Sequence, residues 1–378
     1  MNLLKLRDII QEQLVPLIDS DYVFLEIPFY PNPGDIAIWE GTRDFLAELP
    51  HKCLYTASLR SCELPEISSN TIILLQGGGN FGDLYSLNQD FRNRIIQCYP
   101  DNRIIILPQT VHYNSARSLR RDVQIMRAHK HLTICARDRK SYHFLRRYGF
   151  SRHILLVPDM AFYCSLDAWK EYIVSPIKES LLVQRGDAEF KRPHPGPHRT
   201  PSNSPYKGGG RTHLQLPLQG GRESGRLEFI YKATDCHDWE FIRLNDSITQ
   251  TYEQYSSQLC PATYEAYNDF LINEYYPHAL QSAISQLCSY KQIYSTRLHA
   301  AIISFMLGKD VVLLDNSYGK NSAFYETWWK DEPMIHFEKD GTSVNFKRLL
   351  RMVLAYILVM WDAHKGEKKH GIRHRSDI

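Results

Sequence analysis

Short apolar runs alternate with helix-length amphipathic stretches from residue 21 onward. Residues 22–27, YVFLEI, read as a buried strand, and PFYPNPGD as the loop after it. DIAIWEGTRDFLAEL then reads as a helix with Asp35 placed to cap its N-terminus. TIILLQ (71–76), RIIILP (103–108), LTICAR (132–137) and HILLVP (153–158) follow, each apolar on both faces and each separated from the next by a helix. That pattern predicts a parallel sheet covered on two sides.

A second series begins at SLLVQR (180–185). SITQTYEQYSSQLC and TYEAYNDFLINEYYPHALQSAISQLC are helical, QIYSTR (292–297) and DVVLLD (310–315) are strands, and LHAAIISFMLG is a helix closed by Gly308. The predicted architecture is α/β, with two Rossmann-like doubly wound domains facing a central cleft. The first spans residues 1–172 and the second 173–378, the latter ending in a helix over 344–361. Residues 191–226 break the rhythm, with seven of the 20 glycines and six of the 19 prolines and no amphipathic period. They read as a disordered insertion, because such a stretch cannot bury enough apolar surface to offset chain entropy.

Charge changes the picture little. The net of +3 comes from that insertion, which holds seven Lys or Arg against one acid, so the rest of the chain is −3. A nucleic-acid footprint should be a face of the fold rather than one inserted segment, so no nucleic-acid partner is expected. The N-terminus is an amphipathic helix rather than a secretion signal, and the longest apolar stretch, residues 352–361, is half of a membrane span. A cytoplasmic protein is expected, with peripheral membrane association left open by the basic tail HKGEKKHGIRHR. The eight cysteines are scattered without a CxxC pair, which predicts reduced thiols and no metal site.

The chemistry concentrates at strand ends. QGGGNFGD places Gln76, Gly77, Gly78, Gly79 and Asn80 after the second strand of the series. Gly77, Gly79 and Gly82 fit GxGxxG, but the following strand ends at Gln109 and lacks the acid a dinucleotide ribose needs. The glycines therefore predict a close backbone approach to an anion or a sugar, or a tight turn. Asn32, Gly34 and Asp35, then Gln109, then Arg137 close neighbouring strands and should line one crevice. Arg137 is either a carboxylate or phosphate fork or half of a surface ion pair with Asp138 or Asp159. In the second half Arg297 and His299 stand where a strand turns into a helix, and Lys320 follows the next strand. The set amounts to an anion clamp with one titratable group.

Taken in order, NPGDIAIWEG, LLQGGGNFGDLY, ILPQTVHY, ARDRKSYHFLRRYGF, VPDMAF, STRLHAAIISFMLGK and DNSYGKNSAFYETW resemble the polysaccharide pyruvyl transferase family. The resemblance implies two Rossmann-type domains in a GT-B-like arrangement and transfer of pyruvate from phosphoenolpyruvate to a sugar as a ketal. It implies catalytic roles for His299, Arg137 and Lys320, and donor binding by Arg297, Arg185 and Lys320. The acceptor, a nucleotide- or lipid-linked sugar, would face Asn32, Gly34, Asp35, Gln76, Gly77, Gly78, Gly79, Asn80 and Gln109. Phosphoenolpyruvate enters as co-substrate and no cofactor is expected. Two rivals stand beside it: a nucleotide-sugar glycosyltransferase using Asp159 or Asp315, and a non-catalytic relative disabled by the insertion.

Overall fold

The computed structural model describes residues 2–30, 32–184, 235–237 and 246–338. Arg185, the segment 191–226 and the predicted helix 344–361 lie outside the described residues.

Two parallel sheets organise the chain. The first contains β1 (Tyr22–Ile27), β2 (Cys53–Ser58), β3 (Ile72–Leu75), β4 (Gly78–Gly82), β5 (Ile104–His112), β6 (Leu132–Ala136) and β7 (His153–Leu156), in the order β2-β1-β3-β5-β6-β7 with β4 paired to β5. The second contains β8 (Lys178–Val183), β9 (Asp235–His237), β10 (Tyr290–Ser295), β11 (Asp310–Leu314) and β12 (Ile335–Glu338), in the order β12-β11-β10-β8-β9. Around them lie α1 (Leu3–Leu14), α2 (Pro33–Ala47), α3 (Ser86–Cys98), α4 (Ala116–Ala128), α5 (Arg139–Tyr148), α6 (Asp246–Gln258), α7 (Tyr264–Phe270), α8 (Tyr276–Cys288), α9 (Leu298–Met306) and the short α10 (Lys320–Phe324).

Successive strand residues point to opposite faces, so each central strand feeds two cores. Ile73 and Leu75 of β3 join Ile104, Ile106 and Ile134 under α3, α4 and α5. Leu74 and Phe24 join the other side, where Trp39 of α2 stacks on Phe24 at 4.7 Å between ring centroids. That second cluster does not stop at the first sheet. It runs on through Leu181, Ile293, Leu313 and Trp329, so one apolar body connects both sheets.

Several expectations change here. HILL (153–156) is an edge strand with half-exposed side chains, not one buried on both faces. The helix expected over residues 263–288 is interrupted by a π-helical turn at Leu271–Tyr275 between α7 and α8. Asn32, not Asp35, caps α2: its Oδ1 accepts from the Gly34 amide at 3.0 Å, and Asp35 occupies the first turn. The glycine stretch does not lead straight into a helix. It forms β4 against the extended end of β5, with positive φ at Gly78 and Gly82 rather than at Gly77 and Gly79.

Polar contacts join the loops of the two halves. Trp328 Nε1 donates to the Arg137 carbonyl at 2.7 Å, and the Arg139 amide to Thr327 Oγ1 at 3.0 Å. Tyr252 donates its hydroxyl to the Phe29 carbonyl at 2.7 Å. No described helix is long and apolar enough to cross a membrane.

Candidate active site

Arg137 follows β6 and its side chain is fully buried. Its Nε donates to Thr110 Oγ1 at 2.8 Å, and that hydroxyl donates onward to Asp138 Oδ2 at 2.8 Å. Its Nη1 donates to Asp159 Oδ2 at 2.6 Å. The pair is therefore buried, not the surface ion pair the sequence left open. Asp138 is spent elsewhere, capping α5 by accepting from the Ser141 amide at 2.7 Å.

The third member comes from the other sheet. His299 lies in the first turn of α9, and its Nε2 is 3.2 Å from Arg137 Nη1 and 3.3 Å from Asp159 Oδ2. The nitrogen has a partner in either charge state. Neutral and unprotonated at Nε2, it accepts the second Nη1 hydrogen of Arg137. Protonated there, it donates to Asp159. Burial alone would raise the Asp159 carboxyl, but His299 and Arg137 more than offset it and hold the group well below the usual carboxylate range.

Two glycines let this cluster close. A side chain at Gly34 would run into the His299 ring, so only glycine admits α2 this near to α9. At Gly79 a Cβ would stand 2.8 Å from Arg137 Nη2 and 3.1 Å from Lys320 Nζ. A glycine backbone from the first half thus meets two cations, one from each half, at a single point. Arg137 Nη2 is buried there with no hydrogen-bond partner among the described residues. Lys320 is buried, with its Nζ 5.9 Å from the centre of the Tyr318 ring, which in turn packs on His112 at 4.4 Å. Arg297 is buried at the N-cap of α9.

The remaining predicted residues knit the loops together. Gln109 Nε2 donates to the Gln76 carbonyl at 2.8 Å, and Gln76 Nε2 to the Asp35 carbonyl at 3.2 Å. Asn32 Nδ2 donates to Asp35 Oδ2 at 2.8 Å, and Asp35 Oδ1 stands 3.6 Å from where a Gly78 Cβ would lie. Gly77 packs against the Pro108 carbonyl. Asp315, offered for the rival glycosyl chemistry, accepts from the Asn316 and Ser322 amides at 3.0 and 3.1 Å. No group of His, Cys, Asp or Glu among the described residues could hold a metal ion.

Sequence reasoning passed over the brace behind the glycine strand. Glu26 sits in β1 with φ +70°, buried, where the pairing with β2 shifts register. Its carboxylate meets Arg92 at 2.7 and 2.8 Å and accepts from Asn88 Nδ2 at 2.9 Å. Arg92 turns its other donors to the Asn80 carbonyl, at 3.1 Å, and to Asn80 Oδ1. Burial pushes the Glu26 carboxyl up to about 7 against the opposing pull of Arg92 and Asn88. The signal was in the sequence as a lone acid within an apolar strand. Arg92→Lys keeps the charge and loses the fork, so urea unfolding should show a loss of about 1.5–3 kcal/mol.

Residues 32–318 match the family described as Polysaccharide pyruvyl transferase, most of the chain and every site residue above except Glu26 before it and Lys320 just after it. The chain belongs to that family. It is 29% identical over 333 residues to the Bacillus subtilis protein named "Putative pyruvyl transferase EpsO", covering 87% of this chain and 89% of that one. It is 26% identical over 321 residues to "Pyruvyl transferase 1" of Schizosaccharomyces pombe, covering 80% of this chain and 68% of that one. The crystal structure of the Klebsiella pneumoniae protein KP1_0663 shares the fold, with a TM-score of 0.54 at 19% identity over 90% of this chain and all of that one.

Proposed function

We propose that this pyruvyl transferase family member moves pyruvate from phosphoenolpyruvate onto a sugar as a ketal during synthesis of a cell-surface or extracellular polysaccharide. The observation that supports it is Arg137 Nη2, a buried guanidinium donor without a partner among the described residues, beside the Lys320 ammonium and the Gly79 backbone. A buried donor of this kind calls for an anion, and phosphoenolpyruvate offers a carboxylate and a phosphate. The pairing of Asp159 and Asp315 with other groups leaves the glycosyl-transfer reading without an available carboxylate of the two it named.

Four steps follow from these groups. His299 protonates the methylene carbon, leaving the central carbon electrophilic. A sugar hydroxyl adds there and gives up its proton, and Arg137 with Lys320 holds the anionic groups of the adduct. The carbon–oxygen bond to phosphate breaks, and phosphate leaves with the electron pair. A neighbouring hydroxyl closes the ketal and releases a second proton. One of the two released protons restores His299, whose Nε2 has a partner in both charge states; the other leaves with phosphate or water. The loops carrying Asn32, Asp35 and Gly78 would face the sugar.

Thermal unfolding with phosphoenolpyruvate, UDP and UDP-sugars in turn tests the reading. A ligand at about 100 times its Kd adds about 2.7 kcal/mol. The shift should appear with phosphoenolpyruvate and disappear in Lys320→Ala; a shift with UDP-sugars alone would overturn the donor assignment. Gly79→Ala should also abolish the shift, because its methyl displaces Arg137 Nη2 or Lys320 Nζ, while its own unfolding loss stays within about 1–3 kcal/mol.

A further inference from the structure

The outer surface of α4 and α5 has no part in the chemistry above, and its charge is extreme. Residues 115–156 hold eleven Lys or Arg against two acids, a net of +9 in a chain whose total is +3. The two acids, Asp122 and Asp138, are fully buried, and of the eleven cations only Arg137 is. The exposed charges that this segment itself contributes are therefore all positive; Asp83, which accepts from the Ser115 amide, is an acid from outside it at the start of α4.

The fold spreads these charges over a broad layer. Leu119, Val123 and Met126 of α4 and Leu145 and Tyr148 of α5 pack into the same apolar cluster on one face of the first sheet. The opposite stripes carry exposed Arg117 and Arg121 on α4 and exposed Arg139, Arg146 and Arg147 on α5, while Lys140 reaches across to donate to the Tyr318 carbonyl at 2.8 Å. Neighbouring α3 joins the same cluster, and at its start Leu87 is 70% exposed and Tyr85 is 37% exposed. The counter-charge facing this layer from α3 is Asp90, 2.8 Å from Arg121.

We infer that this face docks the protein on an anionic phospholipid surface. Juxtaposed Lys and Arg are drawn to such a surface within a Debye length, and an exposed leucine beside them can enter the headgroup boundary. A nucleic-acid surface would interleave aromatic stacking platforms among its cations. Here Tyr142 and Phe144 are partly buried against the core instead. Docking would bring the protein to lipid-carried sugars, but it does not depend on which donor the site uses.

Vesicle flotation of the full-length protein tests this without any substrate. The protein should float with vesicles of equal phosphatidylcholine and phosphatidylglycerol, and not with phosphatidylcholine alone. Raising salt to about 1 M, where the Debye length is about 3 Å, should release it. Arg117→Glu/Lys130→Glu/Arg146→Glu should weaken vesicle affinity about a hundredfold or more. Lys5→Glu/Lys52→Glu/Lys330→Glu makes the same change of net charge on other faces and should bind nearly as the parent does. Absent flotation at low salt, or equal loss in both triple variants, overturns the inference. So does tighter retention on a soluble acidic polysaccharide than on the vesicles, which would make the face a polymer site.

Discussion

His299→Ala is expected to lower turnover about 10²–10⁴-fold while phosphoenolpyruvate still raises the unfolding temperature. The ring sits where Arg137 and Asp159 meet, and its Nε2 keeps a hydrogen-bond partner whether or not it carries a proton. Removing it deletes the proton donor but leaves Arg137 anchored by Thr110 and Asp159, so the anion grip should survive. Single-turnover kinetics with thermal shift in parallel separate the two roles. Loss of both would reduce His299 to a packing and binding residue. Retained turnover would remove the acid from the proposed mechanism altogether.

Asp159→Ala is expected to be the more damaging change to the fold. It takes the carboxylate from a fully buried Arg137 and leaves its charge in the interior, hydrogen-bonded among the described residues to Thr110 and His299. Breaking a buried pair in this way costs about 3–5 kcal/mol, and urea unfolding should show it. The natural protein should display the same interaction as acid sensitivity. The folded pKa of Asp159 is depressed, so its contribution is complete above the unfolded value of about 3.9 and is lost as pH falls below it. In Asp159→Ala that part of the acid slope should vanish. An unchanged slope would place the acid sensitivity in other carboxylates.

The central strands were legible because their residues are apolar on both faces, which only a doubly covered sheet requires. Periodicity could not tell an edge strand from an inner one, and so HILL was read as fully buried. The glycine strand β4 was invisible for a different reason. GGNFG has no intrinsic strand preference, and its pairing is imposed by β5 running on through PQTVH beside it. The candidate site residues could be picked out singly, since each stands in a strand-end loop, in the glycine strand or in the first turn of the helix that follows a strand. Their meeting was not, because the contact between Arg137 and His299 spans 162 residues of sequence and rests on the way the two sheets pack. Asp159 illustrates the gap: its position after VP was plain, but its pairing with both Arg137 and His299 depends wholly on tertiary placement.

The apolar body that runs from Phe24 and Trp39 through to Leu313 and Trp329 gives the two halves a shared fate. Because one cluster of buried side chains spans both sheets, loosening it on one side should weaken packing on the other, and the two halves are expected to unfold together. For a candidate site whose Arg137 and His299 come from opposite halves, mutational robustness should then be a property of the entire molecule rather than of the strand-end loops alone.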